Sequence, residues 1–173
     1  LVVRLVIGRR WGQGPGHSQS LEATFAHIPG LKVVMPTFAE DAKGLLSGAI
    51  ADDNPVVVIE HRWLHSLSGN VPEGYLELPL DGPRVVCAGA DVTVVATSHM
   101  TLEAIRAAEA LKQIDVNVEV IDLRVLRPLN CAPIAKSIRR TGRLITVDTG
   151  WTTYGIGAEI VAQMSSSEFS SLK

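Results

Sequence analysis

The chain is poor in the features that usually announce a function. Among its 173 residues are two cysteines, Cys87 and Cys131, far apart and in no C-x-x-C spacing. That leaves no basis for a zinc ribbon or a disulfide scaffold, and predicts two reduced, buried thiols in a cytoplasmic protein. A net charge of −2 gives no electrostatic reason to expect nucleic acid or an anionic membrane as partner. No apolar run approaches the roughly 18 residues of a membrane span, and no signal-peptide pattern is seen. The G-x-S-x-G elbow of a hydrolase, the H-E-x-x-H of a zinc protease and the G-x-G-x-x-G of a dinucleotide site are missing too.

What is present is apolar and regularly patterned. Hydrophobic residues make up 46% of the chain, enough for a real core in one ordinary domain or two small ones. Strand-like runs alternate with amphipathic segments, which predicts an α/β fold with parallel sheets and flanking helices. Strands are expected at Leu1–Ile7, Leu31–Met35, Pro55–Glu60, Val92–Ala96, Val116–Ile121 and Arg143–Val147. A helix is expected over Ser18–His27, ended by Pro29-Gly30. Thr37 and Glu40 have capping-box spacing, opening a helix with Phe38, Ala42, Leu45, Leu46, Ala49 and Ile50 inward. Later helices are expected over Thr101–Gln113, from an Asn130 cap to about Arg140, and over Gly155–Met164. Between them, residues 61–83 are broken by Gly and Pro and are too long for an ordinary loop. A linker therefore separates 1–60 from 84–173. The chain also opens directly on a buried-type strand with no Met, which suggests a fragment.

The best candidate for chemistry is His17. It closes the loop Trp11-Gly12-Gln13-Gly14-Pro15-Gly16, where three glycines and Pro15 forbid regular structure and let a ligand approach the backbone. A histidine there suits proton transfer, and the free N–H groups of a following helix would suit an anion. The alternative is a capping histidine in a surface turn. Ser18 and Ser20 lack an acidic partner and suit capping. His61 and His65 stand four apart, a zinc spacing on a helix, but no third ligand is suggested and a cleft-lining loop is the simpler role. Gly150 to Gly157 is a glycine-rich approach to a helix and weak evidence for a dinucleotide. Arg139, Arg140 and Arg143 read as helix-end charge compensation. His99 follows a strand and is expected to be structural. The helix end at Ala49 to Asn54 presents unpaired carbonyls that suit either water or a hard cation.

Several strings, taken in order, resemble one family. They are Gly16-His17-Ser18-Gln19-Ser20, Pro29-Gly30-Leu31-Lys32-Val33-Val34, Asp53-Asn54-Pro55-Val56-Val57, Val120-Ile121-Asp122-Leu123-Arg124 and Gly155-Ile156-Gly157-Ala158-Glu159-Ile160. The resemblance is to the beta subunit of thiamine-diphosphate-dependent 2-oxo acid dehydrogenases of the pyruvate or branched-chain type, which are transketolase-like. It implies a partial pyrimidine-binding domain over 1–60 and a transketolase C-terminal domain over 84–173, truncated at its end. It implies a reaction that decarboxylates a 2-oxo acid and passes the acyl group to lipoyl, with the cofactor supplying the carbanion chemistry. His17 would line the active site, binding the substrate carboxylate or donating a proton.

The same resemblance implies an α2β2 assembly with an alpha subunit, a second beta subunit and a lipoyl domain as partners. Thiamine diphosphate and Mg2+ would bind only there. The family's cofactor-activating glutamate lies upstream of this sequence, so the isolated chain is expected to be inactive. A structural K+ would be held by carbonyls at Leu1, Ala49, Ile50 and Asp52, together with Asn54. Two other readings stay open: a non-catalytic assembly module, self-associating if alone, and another transketolase-like enzyme that cleaves acetoin or handles sugars.

Overall fold

The structure is a computed structural model that describes residues 1–8 and 14–173. Trp11, Gly12 and Gln13 of the glycine-rich loop lie outside the described residues. The first half contains β1 (Val2–Ile7), α1 (Glu22–Ala26), β2 (Lys32–Val34), α2 (Ala39–Ala51) and β3 (Val56–His61). The second contains β4 (Arg84–Cys87), β5 (Val92–Ala96), α3 (His99–Lys112), β6 (Val118–Asp122), β7 (Val125–Arg127), α4 (Ala132–Thr141), β8 (Leu144–Val147) and α5 (Ile156–Ser167). The expected alternation of strands and helices is therefore present.

The strands form two four-stranded sheets, ordered β1-β3-β2-β7 and β4-β6-β5-β8. Neither is purely parallel. In the first, β1, β3 and β2 are parallel and β7 runs antiparallel to β2; in the second, β6, β5 and β8 are parallel and β4 is antiparallel. Such antiparallel edge strands are common on otherwise parallel sheets. The pairing of β7 with β2 matters most, because a strand from the second half completes the first half's sheet.

Alternation along the buried strands sorts the core. On the first sheet Val34, Val56 and Val58 face α2 with Leu45 and Ala49, while Val33, Val57 and Ile59 face the other way. On the second, Val94, Ala96, Val118 and Val120 face α3, while Val95 and Ile121 join Ile134, Ile138, Ile160 and Met164 of α4 and α5. The inner faces of both sheets share that last cluster, so one core joins the halves. Each fully buried aliphatic side chain contributes about 1.5–3 kcal/mol by leaving water.

Four local expectations need correction. The helix expected from Ser18 is only Glu22–Ala26, preceded by a 3-10 turn at Pro15–His17. Thr37 and Glu40 form no capping box. Phe38 is the N-cap of α2 without a side-chain bond, and the Thr37 hydroxyl donates to Asp122 Oδ1 at 2.8 Å. A buried carboxylate outcompetes a helix N–H for that hydroxyl. Finally, α2 buries Asp41, Gly44, Leu45, Gly48 and Ala49, leaving Ala42 and Ile50 exposed. The helix is rotated because Leu78, from the Gly/Pro-broken stretch, lies along its glycines. Leu78 N donates to Gly44 O at 3.0 Å, and a Cβ on Gly48 would stand 2.4 Å from Leu78 O. Cys87 and Cys131 are free, and half-buried rather than fully so.

Candidate active site at the His17 turn

His17 ends the Pro15–His17 turn and is exposed. The turn is shaped by backbone and hydroxyl bonds. Gly14 enters it at φ 73°, Ser18 N donates to Pro15 O at 3.3 Å, and Ser18 Oγ donates to Gly14 O at 2.9 Å. Ser18 thus ties the turn together instead of capping a helix. Arg62, just after β3, reaches the His17 carbonyl with Nη2 at 3.5 Å. Among the described residues, a built-on Cβ at Gly14 or Gly16 would meet nothing within 4 Å.

Beneath the end of β1 lies a second histidine. His61 closes β3, and a Cβ on Gly8 would come within 2.6 Å of its Nε2. Gly8 also has φ 89°, a conformation side chains rarely adopt. Nδ1 of His61 accepts from Trp63 N at 3.3 Å, and its ring stacks on His99 with centroids 5.0 Å apart. Trp63 stands edge-on to both rings. Burial, then the neighbouring charges of His99, His65 and Arg62, push His61 down to about 4, so it is neutral at physiological pH. His65 Nε2 lies 3.2 Å from Glu60 Oε2. Among the described residues no group of three or more His, Cys, Asp or Glu side chains could hold a metal. A cleft of about 630 Å³ bordered by Thr37, Glu60, His61, His65 and Arg84 opens beside them.

Sequence reasoning missed the polar junction between the halves. Asp41 of α2 is fully buried and takes Arg84 on one oxygen at 2.6 Å and Arg124 on the other at 2.7 Å. Asp122, also fully buried, accepts from Thr37 and from Thr101 at 3.0 Å through Oδ1, while Oδ2 has no partner. Burial raises its carboxyl to about 7 despite those two hydroxyls. The signal was available: an aspartate inside the apolar run Val120 to Leu123 needs a partner.

Of the residues expected to hold a cation, Ala49, Ile50 and Asp52 lie at the C-terminal end of α2. The Leu1 carbonyl accepts from Val56 N at 2.9 Å, and Leu1 is 83% exposed. Ala49 and Ile50 lie in the last turn of α2 and Asp52 is its C-cap. The Asp52 carboxylate pairs with Lys32 and takes both the backbone and side-chain N–H groups of Asn54 at 2.8 Å. With Lys32 first among the causes, its carboxyl falls to about 2.

A separate cleft of about 730 Å³ lies where the Gly150–Gly157 stretch passes α1, bordered by Ser20, Glu22, His27, Arg127, Trp151 and Tyr154. The exposed Trp151 and Tyr154 stand at its edge. Arg139 pairs with Glu168, Arg140 with Glu119, and Arg143 donates to Asp91 O, so the basic cluster is engaged in structural contacts.

Two family descriptions match the chain: the transketolase pyrimidine-binding domain over residues 2–66, and the transketolase C-terminal domain over residues 83–173. The chain belongs to the transketolase family. This transketolase-like chain is 43% identical over 172 residues to the mitochondrial pyruvate dehydrogenase E1 component subunit beta of Caenorhabditis elegans, a match covering 97% of it and 49% of the relative. It is 39% identical over 173 residues to the acetoin:2,6-dichlorophenolindophenol oxidoreductase subunit beta of Cupriavidus necator, covering 100% of it and 51% of the relative. It spans about half the length of these curated relatives. Its fold superposes on a solved split-gene transketolase, described as an inactive beta4 tetramer, with a TM-score of 0.80. That match covers 96% of this chain and 53% of the other at 23% identity, and it bears on fold alone. No helix among the described residues is long and apolar enough to cross a membrane.

Proposed function

We propose that this chain acts within the beta subunit of a thiamine-diphosphate-dependent 2-oxo acid dehydrogenase, decarboxylating a 2-oxo acid and transferring the acyl group to lipoyl. The observation that carries this reading is the 43% identity to a pyruvate dehydrogenase E1 beta subunit across nearly the whole chain. The exposed histidine at the glycine-rich turn supports it. When bound, thiamine diphosphate supplies the carbanion chemistry of such reactions. The described residues fit a lining role toward it: they offer an open turn and an imidazole, but no acidic cluster for Mg2+. His17 presents its imidazole from that turn, held through its backbone, to bind the substrate carboxylate or move a proton during acyl transfer.

Several finer features belong to the same reading. The assembly is α2β2, with an alpha subunit, a second beta subunit and the lipoyl domain of an acyltransferase as partners, in the cytoplasm. Cofactor and Mg2+ bind in that assembly, and the 173 residues alone do not turn over. Carbonyls of Leu1, Ala49, Ile50 and Asp52, with Asn54, hold a structural K+. A second reading, acetoin cleavage, is favoured by the 39% identity to the acetoin enzyme's beta subunit over all 173 residues.

The deciding experiment pairs the full-length beta subunit with its alpha subunit and offers pyruvate, branched 2-oxo acids and acetoin with a lipoyl acceptor. Turnover of a 2-oxo acid, lost in His17→Ala, is the expected result. Unchanged turnover in that variant removes His17 from the site, and acetoin as the sole substrate installs the second reading.

A further inference from the structure

The segment that carries His17 is held from the other half of the chain. Ser20 Oγ lies 3.1 Å from Thr149 Oγ1, in the turn that follows β8. Two residues on, Glu22 is 1% exposed, an unusual place for a carboxyl on a five-residue helix. Its Oε1 sits over Gly150, where a Cβ would stand 2.6 Å away. Its Oε2 has no hydrogen-bond partner among the described residues. The turn it rests on is tied by Asp148, which accepts from Gly150 N at 2.7 Å and from Gly157 N, at the start of α5, at 3.1 Å. Asp148 thereby satisfies one of the N–H groups that a helix start leaves open.

A carboxyl this buried and this close to a second carboxylate is poorly suited to ionise. Burial raises the Glu22 carboxyl first of all; its own backbone N–H opposes this, and Asp148 adds to it. Among the described residues it forms no ion pair, and the N-cap position of α1 belongs to Leu21. It fills the space left open by Gly150, five residues beyond an imidazole whose own turn is fixed, among the described residues, by the Ser18 bonds and by Arg62.

We propose that Ser20 and Glu22 are positioning residues for His17, set against the Asp148–Gly150 turn of the other half. The proposal rests on the placement of His17 in the active site given above. Displacing a reacting group by about 1 Å costs up to about 100-fold in rate, so even a partial release of the turn is measurable.

The test has two arms. In the 173-residue chain, the His17 imidazole resonances are followed by NMR in Glu22→Ala, Glu22→Gln and Thr149→Val. Glu22→Ala and Thr149→Val are expected to shift and broaden them while the amides of α3 stay in place. Glu22→Gln, which keeps size without charge, is expected to leave them near the parent positions. In the full-length beta subunit paired with its alpha subunit, Glu22→Ala is expected to lower kcat about tenfold, with KM for the 2-oxo acid within about twofold. Unmoved His17 resonances in both Glu22→Ala and Thr149→Val overturn the proposal. So does Glu22→Gln proving as damaging as Glu22→Ala, because that makes the charge the important property. If Glu22→Ala does not fold, Thr149→Val, which removes only the Ser20 contact, decides alone. Parent-like turnover in His17→Ala overturns the active-site reading instead, and the NMR arm still decides positioning.

Discussion

The imidazoles of His61, at the end of β3, and His99, at the start of α3, stack across the junction of the two halves with their planes 29° apart. A few residues away the same junction holds Asp122, which joins Thr37 from the first half to Thr101 from the second. The halves are thus pinned together by two buried titratable groups of opposite character. One is a histidine kept neutral, the other a carboxylate kept protonated to an unusually high pH.

The two should oppose each other in the pH dependence of stability. Asp122 goes from a usual 3.8 to about 7 on folding, so between those values the native state holds a proton the unfolded chain lacks. Its contribution therefore falls as pH rises through that window. His61 goes from 6.5 to about 4, so there the unfolded chain holds the extra proton and stability rises with pH. Each slope reaches at most about 1.4 kcal/mol per pH unit. From about pH 4 to 6.5 they largely cancel. Relative to the parent, Asp122→Asn should gain stability with rising pH across that interval, and His61→Asn, which keeps an acceptor for Trp63 N, should lose it. Urea midpoints at each pH supply the comparison; identical profiles for both variants and the parent would contradict it.

Gly8→Ala should be costly for two separable reasons. Its Cβ would stand 2.6 Å from His61 Nε2, and φ of 89° strains any side chain. Crowding and strain each cost about 1–3 kcal/mol. In the double variant Gly8→Ala/His61→Ala the crowding is relieved and the strain remains. The pair should therefore be less destabilised than the sum of its single variants, by about 1 kcal/mol or more. Strict additivity in urea unfolding would show that the two residues do not touch.

These residues also mark how far the sequence was legible. The Val and Ile run of β3 and the helical faces of α3 and α5 carry strong periodicity, and both sheets were expected from them. β7 escaped because three residues before Pro128 carry no period, and its pairing is set by where β6 delivers the chain. Thr37 and Glu40 have capping spacing, but the hydroxyl's partner comes 85 residues later, beyond any local pattern. Gly44 and Gly48 form the surface on which Leu78 rests, a contact that no local pattern around either glycine announces. His17 was legible as a candidate from its turn alone. Glu22 was not, since nothing local tells that residue 150 will lie against it.

Asp41 anchors the junction electrostatically, and its removal should be severe. Asp41→Asn leaves Arg124, 12% exposed at its side chain, with its charge unpaired, a change that costs about 3–5 kcal/mol in buried pairs. Arg84 is 32% exposed, and its removal leaves Asp41 still paired with Arg124, so Arg84→Met should cost only about 1 kcal/mol. The ordering is the informative part. A larger loss for Arg84→Met than for Arg124→Met in chemical unfolding would assign the anchoring to the wrong arginine.

The helix end at Asp52 offers a last measurement, on the proposed K+ site. Lys32 and Asn54 already occupy the Asp52 carboxylate, so a cation gains little from that side chain and depends on carbonyls. Such a site selects a large, weakly hydrated cation over a compact one by cavity size and ligand number. Stabilisation by a bound ion follows its concentration over Kd, about 1.4 kcal/mol at tenfold excess. Replacing tetramethylammonium chloride by potassium chloride at constant ionic strength should raise Tm. Asn54→Ala should abolish the difference while leaving Tm in tetramethylammonium nearly unchanged. Equal Tm values in both salts for the parent chain would mean that water alone satisfies this helix end.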